Sequence, residues 1–300
     1  MTNGLLTAPF DAPSALDDIV YVYGVHDASL LWYFRKIHHS LSVIAATRQL
    51  LQQRSFGALT LSMAKSGPRI LREVGAAKLR LPHGSSQAIV INTGGGLAGG
   101  DRFEHSFACE QHASLTLTSQ AAERVYKTLG PPAEISTLIS VGQEAQVLWL
   151  PQETILYDGA ALQRRYDIKL ALGASFLGLE AVVFGRTEMQ ETINTVHLKD
   201  RWRIYREGTL LHADDIFFGP RLPTSKATLA GARAMASLIY VAADAEAKLQ
   251  GVRKFCACSA WNGKLIARLT AIDGYHLRKA LIPAINVLAG PEALHKIWTA

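Results

Sequence analysis

The chain has 300 residues, enough for one large domain or two ordinary ones. Hydrophobic residues make up 49% of the sequence and charged residues 19%, which excludes an intrinsically disordered chain. The net charge of +6 is spread among acidic residues, as at Arg164 and Arg165 beside Asp167. Such mixing is typical of a solvated surface, whereas nucleic-acid binding favours a clustered patch. The pI of about 9.2 still suits docking on an acidic protein.

The cysteines and the N-terminus predict a cytoplasmic protein. Three cysteines do not make a disulfide framework and fit a reducing compartment. Residues 1–18 lack the basic start and apolar core of a signal peptide, and no apolar run is long enough for a membrane span. Cys256 and Cys258 share one face of a predicted strand and could hold a soft metal. Without a nearby third ligand, two buried small residues are the better interpretation.

The first 56 residues predict an arm followed by a helix. Residues 1–25 contain two prolines and three aspartates, which predict a weakly structured arm. Asp27 could cap a helix over 28–53, whose apolar residues recur near helical period and whose other face is basic. Such a helix can lie on a membrane or a partner, but packing on its own domain is favoured for a cytosolic chain.

From Gly57 onward the pattern changes to short strands. Turn signals such as Asp158-Gly159, Leu172-Gly173 and Glu207-Gly208 separate them at fairly even intervals. Many short strands without intervening helices indicate an antiparallel or wound all-β body.

Helices are predicted again only near the C-terminus. The alanine-rich segment 225–249 predicts one helix. Segments 252–259 and 264–269 predict a strand pair around the hairpin signal Asn262-Gly263. Asp273 then caps a predicted second helix over 275–288, which contains Pro283.

A glycine-rich stretch invites a nucleotide-binding interpretation. Gly94, Gly96 and Gly99 satisfy G-x-G-x-x-G, and Gly94 with Gly99 gives the spacing of a P-loop. The P-loop lacks its Lys and Ser/Thr, because Gly100 is followed by the carboxylate of Asp101. A dinucleotide site needs a helix to begin at the glycines, but a strand-like pattern follows. A nucleotide-binding enzyme therefore remains only an alternative, and a tight turn between two strands is favoured.

Other catalytic or ligand motifs are sparse. The sequence has no H-E-x-x-H, G-x-S-x-G or C-x-x-C motif, and its histidines lack ligand spacing. In RWRIYR (201–206), bases alternate with aromatic residues, as in single-stranded nucleic-acid binders. On a strand, however, Arg201, Arg203 and Tyr205 share one face with Trp202 and Ile204 opposite, so a half-buried strand explains the pattern. A basic nucleic-acid-binding protein is the second alternative.

Three carboxylates stand next to or inside apolar strands. Glu153 and Asp158 lie near the end of an apolar strand around Ile155. Glu180 lies within an almost wholly apolar run, where an unpaired carboxylate is costly. Glu180 is then protonated, paired with a cation such as Arg186, or used to bind a metal ion. An internal salt bridge and a functional role are both open at this point.

Five segments in order resemble the urease accessory protein family UreD, also called UreH. They are INTGGGLAGGDRFE (91–104), LTLTSQAAERVYKT (115–128), VLWLPQETILYDGA (147–160), FLGLEAVVFGRTEMQE (176–191) and RWRIYREGTLLHADDI (201–216). The resemblance covers 57–300 and is weak over 217–252. It implies a mainly β fold, a helically wound two-layer β body that is β-helix-like. We therefore expect an N-terminal arm and helix over 1–56, and a single UreD-like domain over 57–300 that ends in two C-terminal helices.

The resemblance also implies a non-enzymatic role in urease maturation. Proteins of this family act with UreF and the GTPase UreG on the urease apoprotein, UreABC, and UreE is the indirect nickel donor. They are thought to bind nickel weakly and to pass it through an internal channel, with no tightly bound cofactor. A conduit needs oxygen or nitrogen ligands of modest affinity. The resemblance therefore points to Asp101, Glu153, Asp158 and Glu180 as residues of a transient nickel route or of its architecture.

Overall fold

The computed structural model describes residues 54–294 and 296–298. By their contacts the residues separate into 1–53 and Arg54–Ala300, and the architecture below is that of the second unit. The predicted N-terminal arm, 1–25, and the predicted helix, 28–53, lie outside the described residues.

Strands dominate the described part of the chain, as expected. They are β1 (Phe56–Ala64), β2 (Gly67–Gly75), β3 (Ala77–Arg80), β4 (Gln87–Asn92), β5 (Arg102–Cys109), β6 (Ser114–Ser119), β7 (Glu123–Val125), β8 (Ala133–Val141), β9 (Gln146–Trp149), β10 (Thr154–Leu156), β11 (Ala160–Leu170), β12 (Ser175–Phe184), β13 (Val196–Arg206), β14 (Thr209–Phe218), β15 (Ala234–Val241), β16 (Ala257–Trp261) and β17 (Lys264–Ala271).

The strands form two facing sheets through a helical winding of the chain. Sheet A has the order β14-β13-β11-β8-β5-β1-β2, and sheet B has the main order β16-β17-β15-β12-β9-β6-β4-β3. Between β4 and β13 the longer strands alternate between the sheets, so that each pairs in parallel with the strand one coil earlier, as β8 does with β5 and β9 with β6. This confirms the predicted wound two-layer β body.

Two hydrophobic cores follow from the side-chain alternation of the strands. Inward residues of sheet A, such as Leu162 and Ile168, meet sheet B in the first core. Strand β12 is buried on both faces: Phe176 and Phe184 point into the first core, whereas Leu177 and Leu179 point into a second core. A strand covered on both sides reads as a continuous apolar run, and Glu180 interrupts that run on the face towards sheet A.

A helical layer closes the second core against sheet B. It contains α1 (Leu249–Arg253), α2 (Gly274–Ala289) and the 3₁₀ helices Pro291–Ala293 and Lys296–Trp298; another 3₁₀ helix, Thr187–Met189, follows β12. Asp273 caps α2 as predicted, since its carboxylate accepts a hydrogen bond from the backbone N–H of His276 at 2.8 Å. None of the helices in the described ranges is long and apolar enough to cross a membrane.

The predicted helix over 225–249 is wrong. Its centre is β15, an inner strand of sheet B between β12 and β17, and only α1 begins at its end. Helix propensity is a weak preference that tertiary context overrides. Here burial on both faces decides, because Ala234 and Ala236 leave room for the helical layer while Ile239 and Val241 fill the first core.

The last hairpin forms as predicted, with a shorter first strand. Strands β16 and β17 pair around Asn262 and Gly263, whose φ angles are 52° and 70°. Val252 and Arg253, predicted to open the first strand, belong instead to α1. Cys256 and Cys258 pack against the second core but are only partly buried, and Cys256 lies just before β16, so the prediction of two buried residues on one strand is only partly correct.

The glycine stretch is the connection from sheet B to sheet A, between β4 and β5. Gly95 and Gly100 have φ angles of 74° and 84°, and a Cβ on Gly96 would lie 2.5 Å from the ring of Tyr126. Glycine is therefore required both for left-handed backbone and for close approach. The predicted turn between two strands is confirmed, and β5 stands where a dinucleotide site would need a helix.

Candidate functional site

The interior between the sheets contains a buried ionic cluster of Arg164, Asp200 and Glu180. Arg164 and Asp200 face each other on neighbouring strands β11 and β13, and both point inward. The guanidinium donates to the two carboxylate oxygens of Asp200 at 2.6 Å each. Its third nitrogen lies 2.5 Å from Oε2 of Glu180, which reaches across from β12. The exposed fractions of the three residues are only 4%, 2% and 5%, so this cluster is sealed from bulk water.

Neutral side chains complete the hydrogen bonding of the cluster. The hydroxyl of Tyr166 donates to Oε1 of Glu180, and the indole N–H of Trp149 lies 3.4 Å from the same oxygen. The hydroxyl of Thr154 accepts from Arg164 at 2.7 Å. Buried polar groups are tolerated when they are paired in this way. Glu180 is therefore held by one cation and two neutral donors in a fixed position.

Burial and charge act on Glu180 in opposite directions. Burial raises the pKa of Glu180 to about 7, although the positive charge of Arg164 opposes the rise. The carboxylates of Asp200 and Glu180 hold the pKa of Arg164 well above its usual value, against the effect of burial. Arg164 is therefore permanently charged, whereas Glu180 can gain or lose a proton near neutral pH. The Glu180 carboxylate also connects the two sheets, since it belongs to β12 and pairs with Arg164 of β11.

A small cavity lies between the sheets beneath the glycine turn. It measures about 220 Å³ and is lined by Gly95, Gly96, His105 and Glu123 among others. Burial raises the pKa of Glu123 to about 7 even though Asn92 donates to it, and burial lowers the pKa of His105 to about 4. The imidazole is consequently neutral at physiological pH. A neutral imidazole and a carboxylate that is easily protonated are donors suited to weak binding of a divalent cation.

The other three predicted carboxylates are engaged in contacts away from the cluster. Both oxygens of Glu153 pair with Arg278 of α2, at 2.9 and 2.7 Å. Asp158 accepts from the backbone N–H groups of Asn194 and Thr195, and these bonds lower its pKa. The structure thus places Glu153 against the helical layer and Asp158 at the start of β13, and only Glu180 in the interior cluster.

Asp101 ties the glycine turn to the start of the described chain. Its two oxygens accept from the backbone N–H groups of Ser55 and Ala98, at 2.7 Å each, and the residue is buried. The lone pairs of Asp101 that accept these amide hydrogens are not available to a metal ion. This geometry favours an architectural role for Asp101.

Three comparisons of sequence bear on the family. A family model described as UreD urease accessory protein matches residues 38–299. The urease accessory protein UreD of Rhizobium etli is 44% identical over 268 residues, which cover 85% of this chain and 98% of that protein. The protein of the same name from Mesorhizobium japonicum is 40% identical over 267 residues, covering 83% of this chain and 95% of the relative. The chain belongs to the UreD family of urease accessory proteins.

The extent of the UreD match contains the whole candidate site. Arg164, Glu180 and Asp200 all lie inside 38–299, as do the four carboxylates selected from the sequence. The family match begins at residue 38, inside the segment 1–56. The five segments that carry the resemblance all lie after that segment. The division of the chain at residue 57 stays a prediction.

No resident metal centre is evident in the described ranges of this UreD protein. Within 54–294 and 296–298, no three His, Cys, Asp or Glu side chains converge in a way that could hold a metal ion. Glu180 has Arg164, a cation, as its closest charged neighbour. The nickel route through Asp101, Glu153, Asp158 and Glu180 therefore stays a prediction.

Sequence reasoning missed two members of the cluster and chose the wrong partner for Glu180. Arg186, the cation suggested from the sequence, pairs with Glu191, at 3.0 Å, and Arg164 takes its place. The sequence groups Arg164 with Arg165 as surface charge, but only Arg165 is exposed. Strand alternation was the available signal, because Arg164 falls in phase with inward Leu162 and Tyr166. The same argument places Asp200 between inward Leu198 and Trp202.

Asp101→Ala is expected to lower the free energy of unfolding by about 2–3 kcal/mol, because two partly buried backbone N–H groups lose their acceptor. Urea denaturation measures this loss. Asp167→Ala is the matched control, since it removes a carboxylate from a surface ion pair and should cost at most about 1 kcal/mol. If the Asp101→Ala variant kept its stability but lost urease activation, Asp101 would belong to the nickel route and would not have a mainly structural role.

Proposed function

We propose that this chain is a non-catalytic scaffold of urease maturation. In this proposal it binds the urease apoprotein UreABC together with UreF and the GTPase UreG, in the cytoplasm, and helps to insert nickel into the urease active site. UreE supplies the nickel indirectly, and hydrolysis of nucleotide belongs to UreG. The observation that carries the proposal is the match to the UreD family over 38–299.

Nickel is cargo in this proposal, and the space between the sheets is its route. Cargo must be held weakly enough to leave, which favours oxygen and nitrogen ligands over thiolates. The cavity beneath the glycine turn offers His105 and Glu123, and the cluster offers Glu180. The positive charge of Arg164 acts to lower the pKa of both Glu123 and Glu180, so one guanidinium favours the ionised form of both carboxylates. We infer that Asp101, Glu153 and Asp158 mainly shape the walls of this route.

The ionic cluster supports transient rather than resident binding. A divalent cation that approaches Glu180 competes with the guanidinium of Arg164 and with a proton, because the pKa of Glu180 is about 7. Competition from the guanidinium and from the proton weakens the binding of the cation to Glu180. Either competitor can displace the cation without a movement of the backbone. Glu180 is thus suited to hand a cation onward.

Co-expression with urease tests the proposed function directly. Urease would be produced with all accessory proteins, or with this chain alone left out, and urease activity and nickel content would be measured. We expect the chain to co-purify with the urease apoprotein and activity to be lost without it. Full activity and full nickel content in its absence would contradict the proposal.

Glu180→Gln is expected to reduce urease activation several-fold at limiting nickel while the protein still folds. Glutamine keeps the size of the side chain and can still accept from Tyr166, but it has no charge to attract a cation. Activation would be measured against nickel concentration, with circular dichroism to confirm folding. Glu207→Gln, in the exposed turn between β13 and β14, is the control. Normal activation of the Glu180→Gln variant at limiting nickel would remove Glu180 from the route.

A further inference from the structure

The outer face of sheet A carries a compact group of exposed cations. We call Arg165 and Lys169 of β11, with Lys199 and Arg201 of β13, the basic strip; all four side chains are exposed. They point outward because the alternate residues of the same strands fill the first core. Strands β11 and β13 are neighbours inside the sheet, so the strip lies on its face and not at an edge.

Much of this charge is not compensated within the described chain. Arg165 and Arg201 stand directly opposite each other across the two strands, a placement that is unfavourable for like charges. Arg165 pairs with Asp167, but Asp215, the cross-strand neighbour of Arg201, pairs with Arg203 at 2.6 Å. Across 54–294 and 296–298, Lys169, Lys199 and Arg201 form no ion pair. The face therefore favours a negatively charged surface opposite it.

An exposed aromatic side chain adjoins the strip. Phe217 of β14 lies in register with Lys199, and 66% of its surface is exposed. Two shallow hollows of about 350 and 270 Å³ adjoin on this face, since Gln163 and Lys199 line both. The smaller hollow is bordered by Phe217 and Pro132. Phe217 and the two arginines of the adjoining larger hollow, Arg165 and Arg201, are of residue types that are enriched in protein interfaces.

We propose that the basic strip and Phe217 form a docking site for an acidic protein surface that also offers an apolar side chain. Carboxylates of the partner would lie opposite Lys199 and Arg201, and its apolar residue would fill the hollow at Phe217. The assignment of this partner to the urease maturation complex rests on the proposed function, whereas the location and chemistry of the site rest on the charges of sheet A.

A protein partner fits this face better than a nucleic acid does. The next strands, β8 and β5, carry the exposed carboxylates Glu134 and Glu104, of which Glu134 is paired with Arg102 at 3.2 Å. A phosphate backbone that crosses the strip would meet these negative charges within roughly 10 Å, because neighbouring strands are about 4.8 Å apart. Nucleic-acid binding favours a longer track of uninterrupted positive charge. A folded acidic surface can instead place its carboxylates only where the cations lie.

Charge reversal of the full-length chain tests the site. The variant K199E/R201E reverses the charge of Lys199 and Arg201, two cations of the basic strip that form no ion pair with described residues. The variant K254E/K279E makes the same change in net charge on two exposed lysines of the helical layer, neither of which forms an ion pair with described residues. Binding of each protein to labelled poly-L-glutamate and to a single-stranded oligonucleotide would be measured at low and high salt, with circular dichroism as the check of folding.

We expect K199E/R201E to weaken binding of poly-L-glutamate by about 10-fold at low salt, and K254E/K279E by less than about 2-fold. Equal losses in the two variants would overturn the proposal, because they would show only non-specific attraction. Tighter binding of the oligonucleotide, lost in K199E/R201E alone, would overturn it in favour of nucleic acid.

Co-expression separates this inference from the proposed function. If the native chain co-purifies with the urease apoprotein, K199E/R201E should reduce the yield of complex several-fold and K254E/K279E should not. An undiminished yield with K199E/R201E would overturn the site as part of the maturation complex. If the native chain itself fails to co-purify, the proposed function is wrong, and the poly-L-glutamate measurement alone decides the docking site.

Discussion

Arg164→Met is expected to lower the free energy of unfolding by about 3–5 kcal/mol at pH 8, the typical cost of removing one partner from a buried ion pair. The substitution leaves the carboxylates of Asp200 and Glu180 buried without a cation, and it leaves the hydroxyl of Thr154 without its donor. Urea denaturation followed by circular dichroism measures the loss.

A triple variant separates charge from packing in this result. R164M/E180M/D200L makes the whole cluster apolar at similar volume, and such replacements of buried ion pairs are often neutral or stabilising. We expect it to recover part of the stability lost in R164M, since Thr154, Tyr166 and Trp149 still lack their hydrogen-bond partners. A triple variant as unstable as R164M would show that shape and lost hydrogen bonds, and not uncompensated charge, cause the loss.

The same cluster sets the direction of a pH dependence. The pKa of Glu180 in the folded protein is raised to about 7, above the value of an unfolded glutamate. Its contribution to stability is therefore fully present below the unfolded pKa and is lost as pH rises through about 7. Without Arg164 the opposing attraction disappears and the pKa of Glu180 rises further. The loss in free energy of unfolding caused by R164M should accordingly be larger at pH 8 than at pH 5.

Local patterns predicted the strands and turns of an all-β body because each coil repeats the same physical requirement, whereas the helical winding was implied by the family resemblance. A strand with one buried face shows alternation, and each crossing between sheets needs a turn residue such as Gly159 or Gly173, whose φ angles are 77° and 71°. These signals are contained in short windows. The glycine turn and the Asn262-Gly263 hairpin were predictable for the same reason.

Features that depend on distant coils could not be predicted in this way. The alanines of β15 look helical alone, and only burial between β12 and β17 makes them a strand. The partner of Glu180 could not be chosen either, because Arg164 lies on the opposite sheet, whereas Arg186 is near only in sequence. Strand alternation marks Arg164 and Asp200 as inward, but the register between β11 and β13 places them face to face.

The second large effect concerns the C-terminal segment. Trp298 is 1% exposed, and its indole N–H donates to the backbone oxygen of Leu150 at 3.1 Å. The guanidinium of Arg278 lies 5.0 Å from the centre of the indole ring and also binds Glu153. Trp298 thus stabilises the contact between the helical layer and sheet B, because its ring packs against Arg278 and its N–H binds Leu150.

Trp298→Ala is expected to lower the free energy of unfolding by about 3–5 kcal/mol, since a buried aromatic ring is replaced by a cavity and the Leu150 oxygen loses its donor. Thermal and urea denaturation measure the effect. Trp261→Ala removes a tryptophan that is 43% exposed on the edge strand β16, and it should cost about 1 kcal/mol or less. Similar losses for both tryptophans would contradict the role assigned to Trp298.

The Trp298→Ala variant also distinguishes a structural role of Glu153 from a role in the nickel route. If the pair of Glu153 with Arg278 serves to fasten the helical layer, then Glu153→Gln and Trp298→Ala act on one contact, and their losses of stability should be less than additive in the double variant. If Glu153 serves the nickel route instead, Glu153→Gln should impair urease activation at limiting nickel with little change in stability. The bidentate contact with Arg278, at 2.9 and 2.7 Å, favours the first outcome.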